Sequence, residues 1–306
     1  MRVVVLGAAA GGGFPQWNSN ALPCQLARAG NDAALPCTQA SVAVSADGVN
    51  WVLLNASPDL RQQIERAPVL HPAGAVRSSP VAAVVLTGGD VDAIAGLLTL
   101  RERQAFGVYA TPRVHAILAA NPIFEVLARD IVARHPVGLD QVCDVALPSG
   151  VPSGLDITLF AVPGKVPLYL EPADGVPALE TSDQTVGVAV SDGRATLFYI
   201  PGCAAMTPAL AARLRGAALV MFDGTLWTDD EMIRAGLGPK TGQRMGHMSV
   251  SGPNGTMAAF EGLQVERRVL IHINNSNPIL LRDAPERAMA KAAGWEIAFD
   301  GMELRV

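Results

Sequence analysis

The chain has 306 residues, of which 50% are hydrophobic, 17% charged and 5% aromatic, with a mean hydropathy of +0.28. That apolar fraction excludes a disordered chain, which could not bury enough surface to offset its ordering entropy. A formal charge of −5, from 23 Lys and Arg against 28 Asp and Glu, comes with no Lys/Arg run; this excludes the electrostatic footprint of a nucleic-acid binder and the polybasic segment of an anionic-membrane binder. A spanning helix needs about 20 consecutive apolar residues, and Gly, Pro, Asp or Arg interrupts every run here. The apolar stretch before Gly7 is about four residues long, shorter than the roughly 7–15 of a signal-peptide core. A β-strand running into Gly11-Gly12-Gly13 and a cytoplasmic protein are therefore expected. Four cysteines without a Cys-x-x-Cys pair do not make a disulfide framework.

In chain order, Gly30 to Pro36 is turn-like. Ser41 to Ser45 and Asn50 to Leu54 flank Asp47-Gly48, a hairpin signal. Ser57-Pro58 then offers a cap and first turn for a helix over Leu60 to Arg66. Val81 to Leu86 is uniformly apolar, as expected of a strand covered on both faces. Asp92 opens a helix to about Arg103, with Ile94, Leu97 and Leu98 on its apolar face. Gly107 to Ala110 is a strand, followed by Thr111-Pro112 as the start of a helix. Ile157 to Val162, Gln184 to Ser191, Ala195 to Ile200, Ala218 to Phe222, Arg268 to Ile273 and Trp295 to Phe299 read as strands. Pro208 to Arg215 and Pro285 to Ala293 read as helices. With no composition break and no repeat of about 20–50 residues, the reading is a single α/β domain over 1–306 with mixed sheets.

Polar groups collect where apolar strands end: Asp90 and Asp92 after Leu86, Asp223 after Phe222, and His272 beside Ile271. Strand ends are where α/β folds gather functional groups, because a rigid sheet holds the loops. Carboxylates with imidazoles suit Fe(II), Mn or Zn. The plainer alternatives are a turn role for Asp90 and Asp223, an N-cap role for Asp92 and hydrogen-bonded structural roles for His247 and His272. Asp90 and Asp92 could face one cavity or point apart. His71, His115 and His135 read as solvated. Gly7 to Gly13 does not match the dinucleotide-binding spacing and reads as a backbone loop close to a cleft.

The run Leu86-Thr87-Gly88-Gly89-Asp90-Val91-Asp92-Ala93-Ile94-Ala95-Gly96-Leu97 resembles the metallo-β-lactamase superfamily element Leu-Thr-His-x-His-x-Asp-His-x-x-Gly-Leu. Pro163-Gly164-Lys165 stands where that superfamily has Pro-Gly-His. Asp223 matches its bridging aspartate and His272 its final histidine. Gly7 to Asn18, Leu54 to Arg61, Asp223 to Trp227, Lys240-Thr241-Gly242, Met245-Gly246-His247 and His272 to Asn275 together resemble the coenzyme PQQ synthesis protein B family, essentially end to end. The resemblance implies an αββα sandwich with two facing mixed sheets and outer helices. It also implies a part in making pyrroloquinoline quinone (PQQ) from a Glu–Tyr cross-link, by iron-dependent hydroxylation of the tyrosine-derived ring.

Carried onto this chain, the resemblance gives Asp90, Asp92, Asp223, His247 and His272 as candidate metal ligands, with Asp92, Asp223 and His247 as the catalytic set. Two histidines with one carboxylate would make a facial triad for Fe(II); another divalent metal, or none, stays open. Lys165, Arg61, Lys240 and Arg244 are candidate contacts to the carboxylates of a small-molecule precursor, since such cations pair with carboxylates; ordinary surface charge is the alternative for each. The expected partner is that small-molecule precursor, with no nucleic acid and no membrane, and a homodimer is left open. Gly88, Asp90, Ala93 and Lys165 replace superfamily metal histidines, which disfavours a binuclear hydrolase. The family often has Trp-Asn-Cys-x-Cys-x-x-Cys, whereas this chain runs from Trp17-Asn18 to a lone Cys24, so no structural zinc is expected. The alternative to catalysis is a carrier that has lost metal and binds PQQ or its precursor.

Overall fold

The computed structural model describes residues 1–171 and 180–306. Two seven-stranded sheets form its centre. The first contains β1 (Arg2–Gly7), β2 (Ser41–Ser45), β3 (Trp51–Leu54), β4 (Val81–Val85), β5 (Phe106–Ala110) and β6 (Val132–Pro136). The second contains β7 (Val142–Ala146), β8 (Pro152–Gly164), β9 (Glu180–Ser191), β10 (Thr196–Ile200), β11 (Leu219–Asp223), β12 (Arg267–Ile271) and β13 (Trp295–Ile297). The last strand, β14 (Glu303–Arg305), returns to the first sheet and pairs antiparallel with β1. The orders are β14-β1-β2-β3-β4-β5-β6 and β13-β12-β11-β10-β9-β8-β7. Each sheet is antiparallel on one side and parallel on the other, with β3 to β6 and β10 to β13 as the parallel runs. This is the mixed α/β arrangement expected from hairpins interspersed with strand–helix units.

The uniformly apolar strands have a two-sided explanation. Val3, Val5, Val42, Val44, Val52, Leu54, Ala83 and Val85 join the core shared with the second sheet. Their alternating neighbours Val4, Leu6, Ala43, Trp51, Leu53 and Val84 face a separate core under helices. Successive strand side chains point to opposite faces, so both sets must be apolar when both faces are covered. On the outer face of the first sheet lie α1 (Leu60–Arg66), a short α2 (Val91–Ile94) and α3 (Pro112–Ala120), which contribute Leu60, Ile94, Val114 and Leu118. Against the second sheet lie α4 (Pro208–Leu214) and, after α5 (Gly242–Met245), α6 (Pro285–Ala292). Among the described residues no helix is long and apolar enough to cross a membrane.

One helix goes unread in the sequence, and two local expectations change. The segment before Gly30 contains a helix, Leu22–Arg28, opened by Pro23. The segment expected to be helical from Asp92 to about Arg103 is α-helical only to Ile94 and continues as a 3₁₀ turn over Ala95–Leu100. Gly96 accounts for the close fit there: a Cβ on it would lie 2.1 Å from the Ser57 carbonyl oxygen. His71 is exposed as expected, but His135 stacks on Tyr109 at 4.3 Å and His115 is half-buried.

Candidate metal centre

The C-terminal ends of β4, β11 and β12 converge, and the side chains that follow them meet in one cavity of about 480 Å³. Asp90, Asp92, His247 and His272 line it, together with Gly11, Lys165 and Lys240. Asp90 and Asp92 therefore face the same space. Asp90, not Asp92, occupies the N-cap position of α2, and its side chain makes no capping bond. Asp92 lies in the first turn and turns its carboxylate to the other sheet.

Local backbone rules place each group. Asn55 takes a left-handed φ of 62° after β3, and asparagine tolerates that region better than most residues. Its amide donates to Thr87 Oγ1 at 2.9 Å, and its carbonyl oxygen accepts from the Thr87 N–H at 2.9 Å. This fixes the end of β4 just before the two aspartates. His272 follows β12 with a φ of 59°, which swings its ring off the strand line and into the cavity. Gly246, left-handed at φ 88°, terminates α5 and presents His247.

Asp223 is fully buried at the end of β11. Its Oδ2 accepts from the Cys203 N–H at 2.9 Å and lies 2.7 Å from His247 Nδ1. Its Oδ1 accepts from the Thr225 N–H at 3.0 Å and from the Thr225 hydroxyl at 2.6 Å. The same hydroxyl oxygen is 2.8 Å from His272 Nδ1. With Nδ1 so engaged, His272 directs Nε2 toward Asp92 Oδ2, 2.9 Å away. The two imidazole rings stack at 5.3 Å. Asp223, His247 and His272 each offer a ligand atom within 4.8 Å of the others. Two imidazoles and a carboxylate, one imidazole oriented by a hydroxyl behind it, fit a divalent transition metal by donor chemistry.

The electrostatics follow from burial and proximity. Burial raises the Asp90 carboxyl above the usual range, and the charge of Asp92 adds to the effect. Burial would also raise Asp92, but its hydrogen bond and charge contact with His272 outweigh it and hold the carboxyl low. Burial works against a cationic His272, yet Asp92, Asp223 and Asp90 together raise its affinity for a proton.

The four cations expected to contact carboxylates divide. Lys165 and Lys240 line the cavity, and Arg244 stands behind them on α5. All three point at one carboxylate, Glu171. Arg61 is exposed on α1 and is not brought to the cavity, because α1 covers the outer face of the first sheet. Sequence reasoning missed two residues. Thr225, the hub of the hydrogen bonds, has a usable signal: it follows a buried strand ending in Asp-Gly. Glu171 has none, since its partners Lys240 and Arg244 lie 69 and 73 positions away. The glycine loop does approach the cleft: Gly11 lines it, and a Cβ there would lie 3.7 Å from the Asp92 carboxylate. Cys24 is a buried free thiol beside Asn275.

A β-lactamase superfamily domain matches residues 50–273. Coenzyme PQQ synthesis protein B of Gluconacetobacter diazotrophicus is 63% identical over 302 residues, covering 99% of this chain and 98% of that protein. Its namesake in Xanthomonas euvesicatoria is 53% identical over 304 residues, covering 99% of each. The crystal structure of Zn(2+)-bound PqqB from Methylobacterium extorquens superposes with a TM-score of 0.96 at 50% identity, covering 100% of both chains. A metallo-β-lactamase-fold protein of Bacillus subtilis shares the fold alone, with 99% coverage of each chain, a TM-score of 0.64 and 14% identity. The two facing sheets, the convergent strand ends and the end-to-end identity place this chain in the coenzyme PQQ synthesis protein B family, within the metallo-β-lactamase fold.

Proposed function

We propose that this chain acts in PQQ biosynthesis as a metal-dependent hydroxylase of the tyrosine-derived ring of a Glu–Tyr cross-linked precursor, in the cytoplasm. The observation that carries the reading is the lining of the cavity. Asp90, Asp92, His247 and His272 share it with two lysines, Lys165 and Lys240. A precursor with several carboxylates on an aromatic frame matches that combination of a candidate metal centre and fixed cations.

His247, His272 and Asp223 or Asp92 would hold the ion. Fe(II) bound there would supply the activation of O2. Thr225 keeps the His272 ring fixed through Nδ1, so that Nε2 faces the cavity side. Asp90 would hold or release a proton near the reacting ring, its carboxyl being raised by burial where that of Asp92 is held low by His272. Lys165 and Lys240 would orient the substrate through its carboxylates.

Anaerobic reconstitution with Fe(II), followed by oxygen uptake with the cross-linked diamino acid, tests this. Stoichiometric iron and uptake that His272→Ala abolishes are expected. Less than one iron per chain, with no effect of His272→Ala, would sink it.

A carrier role is the second reading. It is favoured by the mutual satisfaction of the polar groups, in which Asp223 takes four hydrogen bonds and Asp92 pairs with His272. Tight binding of PQQ without metal or turnover would support it.

A further inference from the structure

Three cations converge on Glu171. Lys165 Nζ lies 3.1 Å from its Oε1, while Lys240 Nζ at 3.4 Å and the Arg244 guanidinium at 3.3 Å reach Oε2. The Glu171 side chain is only 9% exposed. Burial would raise its carboxyl, but the neighbouring cations more than offset this and hold it low. Among the described residues, one negative charge against three positive charges leaves this cluster with a net positive charge.

The arrangement is not a closed structural ion pair. Lys165 and Lys240 line the cavity and Glu171 stands behind them. Each ammonium carries three N–H donors. Lys165 donates one to the Val166 carbonyl at 3.1 Å and meets Glu171 Oε1 at 3.1 Å as a charge contact without a hydrogen bond, so among the described residues it keeps donors to give. Lys240 has a single carboxylate contact among the described residues. Both therefore keep donors for a second acceptor on the cavity side.

We infer that Lys165 and Lys240 form a subsite for a ligand carboxylate and that Glu171 is its built-in competitor, drawing the two ammonium groups toward the wall and so setting the affinity. A ligand carboxylate entering from the cavity shares or takes over the donors that Glu171 holds. The inference rests on the cavity being the substrate site, and it names the substrate group recognised at this end.

Isothermal titration of the full chain, loaded with Zn(II), with benzene-1,3-dicarboxylate tests it without turnover. Glu171→Gln removes the competing charge at nearly constant volume, and binding about tenfold tighter is expected, one charge–charge contact being worth about that factor at a partly buried site. Lys165→Met and Lys240→Met should each weaken binding about tenfold. The double variant Glu171→Gln/Lys240→Met should return close to the parent. Glu171→Asp, with its carboxylate withdrawn by one methylene, should fall between parent and Glu171→Gln, and it serves if the glutamine variant does not fold. Weaker or unchanged binding in both Glu171 variants would overturn the inference, as would absence of binding in all chains. Failure of the hydroxylase reading would show instead as missing iron or oxygen uptake in the parent, whatever Glu171 does.

Discussion

His272 Nε2 lies 2.9 Å from Asp92 Oδ2, joining side chains 180 positions apart, one directly after β12 of the second sheet and one in α2, which follows β4 of the first. Asp92→Asn keeps the shape of the pair and removes its charge. Fe(II) or Zn(II) affinity should fall about 10–100-fold, the usual cost of losing a group that orients or joins a ligating imidazole. Anaerobic metal titration checks this, and an unchanged affinity would detach Asp92 from the centre.

Thr225 has one hydroxyl proton and four neighbours: Asp223 Oδ1, both imidazole Nδ1 atoms and the His272 carbonyl. Thr225→Val leaves buried partners unpaired and should cost about 1–3 kcal/mol in urea unfolding. Thr225→Ser should recover most of the loss. Equal loss in both variants would assign the effect to packing of the methyl group instead.

Gly96 donates its N–H to the Ala56 carbonyl at 2.8 Å, with no room for a side chain beside Ser57. Gly96→Ala must push α2 away from the end of β3 and should destabilise by about 1–3 kcal/mol. Because α2 carries Asp92, weaker metal binding should accompany the lower melting temperature. A normal affinity in a destabilised protein would show that the centre tolerates this shift.

The ion cluster at Glu171 should leave a pH signature in stability. Its folded-state carboxyl lies below the ordinary value of 4.5. Its stabilisation is therefore complete above that value and is lost as pH falls through the folded value. The melting-temperature gap between the parent and Glu171→Gln should be wide at pH 7 and close in acid. A gap that stays constant with pH would remove the charge from the account.

Burial pushes the Cys37 and Cys203 thiols up to about 12, so both stay protonated at pH 8. Iodoacetamide should label the half-exposed Cys143 first and reach Cys203 only on unfolding. Mass mapping of native and denatured samples decides it.

The strand ends were readable because the apolar runs Val81–Leu86, Leu219–Phe222 and Val269–Ile271 each stop at a polar residue, Thr87, Asp223 and His272. The bounds of α1, Leu60–Arg66, are those expected, but Asp59 and not Ser57 stands at its N-cap, without a side-chain capping bond, and Pro58 precedes the helix. The edge strands β6 and β7 carry Arg134, His135 and Asp144 and are covered on less of their surface, so their patterns are weak. Whether Asp90 and Asp92 share a face depended on Asn55 and Thr87, a contact between two strand ends that periodicity does not show. Arg61 lay in a stretch resembling the family, but its helix faces away from the cavity; resemblance locates a segment and not the direction of a side chain.

Asp92 comes from the layer of the first sheet and His247 and His272 from that of the second, so an ion held by all three would rivet sheet to sheet. Parting the layers would empty it, and occupancy and cohesion would rise together. The thermal midpoint should climb with the logarithm of free metal concentration, as binding to the native state alone requires. A chain whose layers fail to dock would offer only scattered ligands, so affinity becomes a direct report of the sandwich having closed.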